Sequence, residues 1–139
     1  MRNNVFVIKA EVSDPGAETF TFRAQKTMYG GKLIAKGDTI FVFASENEGG
    51  PGLIAVGVVT SAKATAKKPG IARQTPRVSI TIKRTARAKR RLGRSELKLF
   101  SDRDDGRPET ELNFKFYRQA TNKITGISEE AAAFLRRFF

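Results

Sequence analysis

The stretch FVFASENEGGPGLIAVGVVTSA, residues 41–62, decides how the chain is read. Two apolar runs rich in β-branched residues flank a break made of acids and glycines, which is the composition of two buried strands joined through a turn. Such a break has three uses: a phosphate cradle, a close approach to a flat ligand, or a tight hairpin loop. A phosphate-binding P-loop needs Lys and Ser or Thr directly after its glycines and then a helix, whereas Gly49-Gly50-Pro51-Gly52 leads into LIAVGVV, a strand. No G-x-G-x-x-G dinucleotide fingerprint is present, and Glu46 and Glu48 would repel a phosphate. A hairpin, or a hairpin whose bare glycine backbone admits a ligand, remains.

Working outward, VFVIKAEV (residues 5–12) reads as a buried strand ended by the turn SDPG, and FTFRA (20–24) alternates with Phe20, Phe22 and Ala24 on one side. The segment QKTMYGGKLIAKGD holds room for a helical turn before Gly37-Asp38 launches TIFVFAS, a run apolar on both faces. RVSITIKRT shows strict period two, with Val78, Ile80 and Ile82 inward and a polar, cationic outer face. ARAKRRLGRSELKLF is read as helix interrupted at Gly93, SDRDDGRPET as a surface loop, and LNFKFY as another alternating strand. In the last segment Ser128 caps EEAAAFLRRFF, with acids in the first turn, arginines in the last, and Ala131, Phe134, Leu135 and Phe138 on one face.

Five or six short strands with few helices argue for an α+β domain built on a small curved sheet or β-barrel, with flanking short helices and a C-terminal helix. The 139 residues are read as one domain, 1–139. Neither cysteine nor histidine occurs, which removes disulfides, Cys/His zinc sites, thiol nucleophiles and imidazole catalysis. The N-terminus offers only four consecutive apolar residues before Lys9, too few for a signal-peptide core or a membrane span. The expectation is a cytoplasmic protein and a monomer, with no membrane partner, cofactor or metal.

Charge is the strongest functional signal. The chain carries 26 Lys and Arg against 14 Asp and Glu, and no acid lies between Glu48 and Glu96. That interval holds twelve cations: Lys63, Lys67, Lys68, Arg73, Arg77, Lys83, Arg84, Arg87, Lys89, Arg90, Arg91 and Arg94. The rest of the chain is balanced, so the whole excess of +12 belongs to one segment. A localised cationic region without acids of its own fits a polyanion, and nucleic acid is the commonest one. A solvated loop is the competing reading. All of these cations except Lys63 are taken as candidate contacts to a nucleic-acid backbone.

The sequence KGDTIFVFAS, a short loop, and then PGLIAVGVVTSA (residues 36–62) resembles the EVE domain of the PUA-like superfamily. In that family a Gly-Asp turn leads into an aromatic-rich strand ending near a serine, followed by a Pro-Gly and a strand like G-I-A-x-V. Upstream, FRAQKTMYGGKLIAKGD is similar to the family segment in which an arginine and a glutamine precede a helical turn. Downstream, FYRQATNKITGISEEAAAFLRRFF is similar to its closing strand and helix. The resemblance implies a PUA-like barrel and a pocket for a nucleobase, often a modified one, presented by DNA or RNA. It places Phe43, Ser45, Pro51, Gly52, Arg23 and Gln25 at the pocket border. Many relatives carry a tryptophan near the first strand and Tyr-His before the serine; this chain has no Trp and reads Phe43-Ala44-Ser45.

An extruded base is held by stacking on aromatic rings, roughly 1–3 kcal/mol per base, and by hydrogen bonds to its edge. Phe20, Phe22, Tyr29, Phe41 and Phe43 are the candidate platforms, each weighed against an ordinary place in the core. The functional expectation is a binding module that recognises a modified or unmodified base, with basic flanks on phosphates. An RNA-binding structural or assembly protein acting through charge alone is the alternative. An enzyme built on Glu46 and Glu48 is not expected, because two acids in a glycine-rich loop are usually solvated turn residues.

Overall fold

The computed structural model describes residues 4–66, 69–70, 74–101, 105–118 and 122–139. Strands β1 (Val5–Ala10), β2 (Thr19–Met28), β3 (Thr39–Ala44), β4 (Gly52–Ala64), β5 (Arg77–Arg87) and β6 (Lys123–Gly126) close into a mixed barrel in the order β1-β3-β4-β5-β2-β6. The β1/β3 and β2/β6 pairs are parallel and the other four antiparallel. Helices α1 (Arg94–Leu97), α2 (Pro108–Asn113) and α3 (Glu129–Arg136) flank it. The expected small barrel with a C-terminal helix is the observed fold.

Two apolar layers explain the sequence pattern. Phe6, Ile8, Ile40, Val42, Ile80, Ile82 and Ile124 fill the barrel. The alternate residues of β1 and β3, Val7, Phe41 and Phe43, point outward but are covered by Leu97, Leu112, Phe116, Ala131 and Leu135. Burial on both faces is why these two strands read as unbroken apolar runs, whereas β5, with one face in solvent, alternates. Ser128 caps α3 by accepting from the Ala131 N–H at 3.1 Å.

Two segments differ from expectation. LNFKFY is helical: Pro108 opens α2 with acids in its first turn, and a π-helical turn, Phe114–Arg118, continues it. Leu112 and Phe116, four residues apart, are thereby buried together, while Phe114 is only half-buried. The basic run also forms no helix before Gly93. β5 extends through Arg87, and the Ala88 N–H donates to Ile54 O (2.9 Å) while Lys89 N–H donates to Phe138 O. Residues 88–92 therefore run beside β4, with Leu92 O accepting from the Leu53 N–H at 2.9 Å, and form no intrahelical ladder.

Candidate nucleic-acid interface

The glycine-rich break is a built loop. After Ser45, residues Glu46–Glu48 make one 3₁₀ turn, closed by Gly49 at φ 84°. A Cβ on Gly50 would lie 2.6 Å from the Ala44 carbonyl, and one on Gly52 2.4 Å from Leu92 O, so these glycines permit backbone to pack on backbone. Glu46 anchors the loop from above. Its carboxylate accepts from Tyr117 Oη at 2.9 Å and from the Arg94 N–H at 2.8 Å, and Arg91 stands 3.9 Å away. Burial, reinforced by Glu46, pushes the Tyr117 hydroxyl well above the usual tyrosine pKa, so it stays a donor. Arg94 adds a bond to Asn47 Oδ1 at 2.7 Å.

On one side of this loop opens a cleft of about 360 Å³ lined by Gln25, Lys26, Asn47, Glu48, Arg77 and Asn122, with Ala24 at its edge. A β-bulge in β2 shapes it: the β2/β5 register shifts between Phe22 and Gln25, and Ala24 takes a left-handed φ of 49°. Ala24 O, turned aside by the bulge, accepts from Arg77 Nη1 at 2.9 Å, and Ala24 N–H donates to Ser79 Oγ. Asn122 Nδ2 donates to Glu48 Oε1 at 3.2 Å, closing the cleft against the loop. Three side-chain amides, a carboxylate and two cations thus converge, offering both donors and acceptors to a flat polar ligand.

On the other side lies a groove of about 480 Å³ between Pro15-Gly16, Pro51 and the cations Arg87, Lys89, Arg90 and Arg91. Arg84 and Arg87 donate to Gly16 O at 2.7 and 3.1 Å, and Arg90 donates to Arg137 O with its guanidinium 4.7 Å above the Phe138 ring. These contacts aim the guanidinium groups while using only part of their five donors. Arg77, Lys83, Arg87, Lys89, Arg90, Arg91 and Arg94 are exposed and Arg84 is half-buried. Lys67, Lys68 and Arg73 lie outside the described residues.

Of the residues expected at a base pocket, Gln25 lines the cleft and Pro51 the basic groove. Arg23 is exposed on the bulge. Tyr29 is remote from both, with Leu33 in a separate depression and its ring 4.9 Å below Lys115 Nζ. The aromatic platforms need correction. Phe22 lies inside the barrel against Phe20, and Phe43 is fully buried and stacked on Phe116 at 5.5 Å, so neither shows a face to a base; Phe41 is likewise buried. Gly52 is buried at φ 89° as a packing residue rather than a gate. Ser45 is buried too, and its hydroxyl has no hydrogen-bond partner among the described residues.

Sequence reading missed Lys26, Asn47, Asn122 and Tyr117. No periodicity marks them; they meet because β6 pairs with both β1 and β2 and brings Asn122 back to the loop after β3.

No family model matches the chain, and no curated protein matches it. Solved structures do. Human THYN1, in complex with DNA containing 5-methylcytosine, is 15% identical over 95% of each chain with a TM-score of 0.64. A hypothetical protein from Leishmania major is 19% identical over 98% of this chain and 94% of that one, with a TM-score of 0.61. A protein from Pseudomonas putida is 12% identical over 96% and 98%, with a TM-score of 0.65. The six-stranded barrel with its C-terminal helix is thus a fold that the chain shares with these solved structures, as the resemblance implied.

Proposed function

We propose that the protein is a nucleic-acid-binding module that receives one base in the cleft beside the β2 bulge and holds the adjoining backbone in the groove of Arg87 to Arg91. One observation carries this reading. The loop of residues 45–51 is a common wall, presenting Asn47 and Glu48 to the cleft and Pro51 to the cationic groove. A strand crossing that wall touches both. Phosphate contacts would position it without reading sequence, and the amides of Gln25, Asn47 and Asn122 would read a base edge. The neighbour crystallised with methylcytosine DNA supports the partner class. Binding of this kind requires neither cofactor nor catalysis.

The burial of Phe22 and Phe43 favours the second reading, binding through charge alone, because among the described residues none that lines the cleft is aromatic. Fluorescence anisotropy with oligonucleotides carrying cytosine or 5-methylcytosine, in DNA and RNA, at two salt concentrations separates the two. The base-pocket reading expects Gln25→Ala and Asn122→Ala to flatten discrimination between bases. Wild-type protein that binds every oligonucleotide equally, with a steep salt dependence, would leave charge alone.

A further inference from the structure

Lys26 on β2 and Arg77 on β5 are directly paired cross-strand neighbours, so their side chains leave the barrel wall side by side on one face. Both are exposed. Like charges placed opposite each other weaken a sheet, and an anion between them reverses the sign of that contact. Both residues line the cleft, and both also line a second groove of about 480 Å³ that continues past them toward Lys32. Thr65, Thr75 and Pro76 also line this groove, and no acid is among its described lining residues.

The rim is held rigidly. Thr27 donates to Pro76 O through its N–H (3.1 Å) and its hydroxyl (2.8 Å), and Thr65 N–H donates to Arg77 O at 2.8 Å. Arg77 is further oriented by its Nη1 bond to Ala24 O, which leaves its other N–H groups to a ligand. A guanidinium held by a backbone carbonyl beside an exposed ammonium, where a polar cleft meets a groove with no acid among its described lining, matches a phosphodiester next to a base.

We propose that Lys26 and Arg77 hold the phosphate flanking the base in the cleft and that Lys32 takes the next one, so that the strand leaves the cleft through this second groove. The proposal rests on the nucleic-acid reading. It adds a direction to it: the backbone enters along Arg87 to Arg91, passes the 45–51 loop and exits over Lys26.

The test uses fluorescein-labelled single-stranded oligonucleotides with one central 5-methylcytosine, extended on the 5′ side, the 3′ side or neither. For wild type, extension on one of the two sides tightens binding. In the Lys26→Gln/Lys32→Gln variant that gain is lost, affinity at 50 mM salt falls about tenfold and the slope of log K against log salt drops by about 1.4. Thermal melting separates folding from binding, because removing one of two like charges leaves the melting temperature unchanged or higher. An unchanged affinity and slope in the variant, with wild type binding normally, overturns the exit groove alone. Wild type that binds no oligonucleotide overturns the functional reading and the groove with it. Full displacement of the oligonucleotide by equimolar tripolyphosphate assigns the groove to a free polyanion and overturns the strand path.

Discussion

Lys9 on β1 and Lys123 on β6 are cross-strand partners, and both are withdrawn from solvent, 1% and 0% exposed. Lys9 Nζ donates to Phe116 O at 2.7 Å and lies 5.5 Å from the Tyr117 ring centre, while Lys123 Nζ lies 5.6 Å from that of Phe116. Two cations are thus set side by side under the aromatic lid that also anchors the 45–51 loop. Burial, and then the charge of Lys9, push the Lys123 pKa down to about 8. Burial and Arg94 lower that of Lys9, against the opposing pull of Glu46 and Glu48.

This pair predicts an unusual pH dependence. Lys123 titrates near 8 in the folded chain and near 10.5 unfolded, so between those values the unfolded chain binds more protons and stability rises with pH. The contribution is complete above the unfolded value and lost as pH falls through about 8. The melting temperature should increase by roughly 4–8 °C from pH 7.5 to 9.5. Lys123→Met should abolish the rise and match or exceed wild-type stability at pH 7.5, since a buried charge is replaced by an apolar side chain of similar length.

Gly52→Ala should unfold the loop rather than block a ligand. The φ of 89° strains any side chain, and the new Cβ would sit 2.4 Å from Leu92 O. A loss of about 2 kcal/mol or more is expected in urea denaturation. Wild-type stability with weakened oligonucleotide binding would restore Gly52 to a gating role.

Phe43→Ala tests the corrected placement of the aromatics. Removing a fully buried ring stacked on Phe116 should cost about 3–5 kcal/mol of stability. Phe43→Leu, which keeps most of the volume, should retain the wild-type preference among bases in the anisotropy assay. A changed preference without lost stability would make the ring a ligand contact.

Ser128→Ala should cost about 1–2 kcal/mol by removing the α3 cap and a partner of Glu111. Burial alone would raise the Glu111 pKa, but hydrogen bonds from the Ser128 hydroxyl and N–H, together with Lys115, outweigh it and hold the carboxyl below its ordinary value. Its stabilisation is therefore present above pH 4.5 and lost as pH falls through the lower folded value. Chemical denaturation of wild type and variant at pH 7 and pH 4 should show the gap between them narrowing in acid.

Much of the architecture was legible because it is local. Alternation in RVSITIKRT sets which residues of β5 enter the barrel, two-sided apolarity in TIFVFAS marks β3 as covered, and Ser128 with its following acids begins α3. LNFKFY misled because Leu112, Phe114 and Phe116 satisfy period two, while Leu112 and Phe116 equally satisfy helical spacing. Pro108 and its acidic first turn settle the matter as helix.

By itself the sequence determined five of the six barrel strands, the capped final helix and the confinement of the net positive charge to one segment, since each depends on neighbours along the chain. Only the tertiary structure decided which aromatics are sealed, and that Gln25, Asn47, Arg77 and Asn122 share a cleft. The physical reason is barrel closure. Side-chain period assigns a residue to a face, but the pairing of β6 with β1 and β2, strands about a hundred residues earlier, chooses which faces meet.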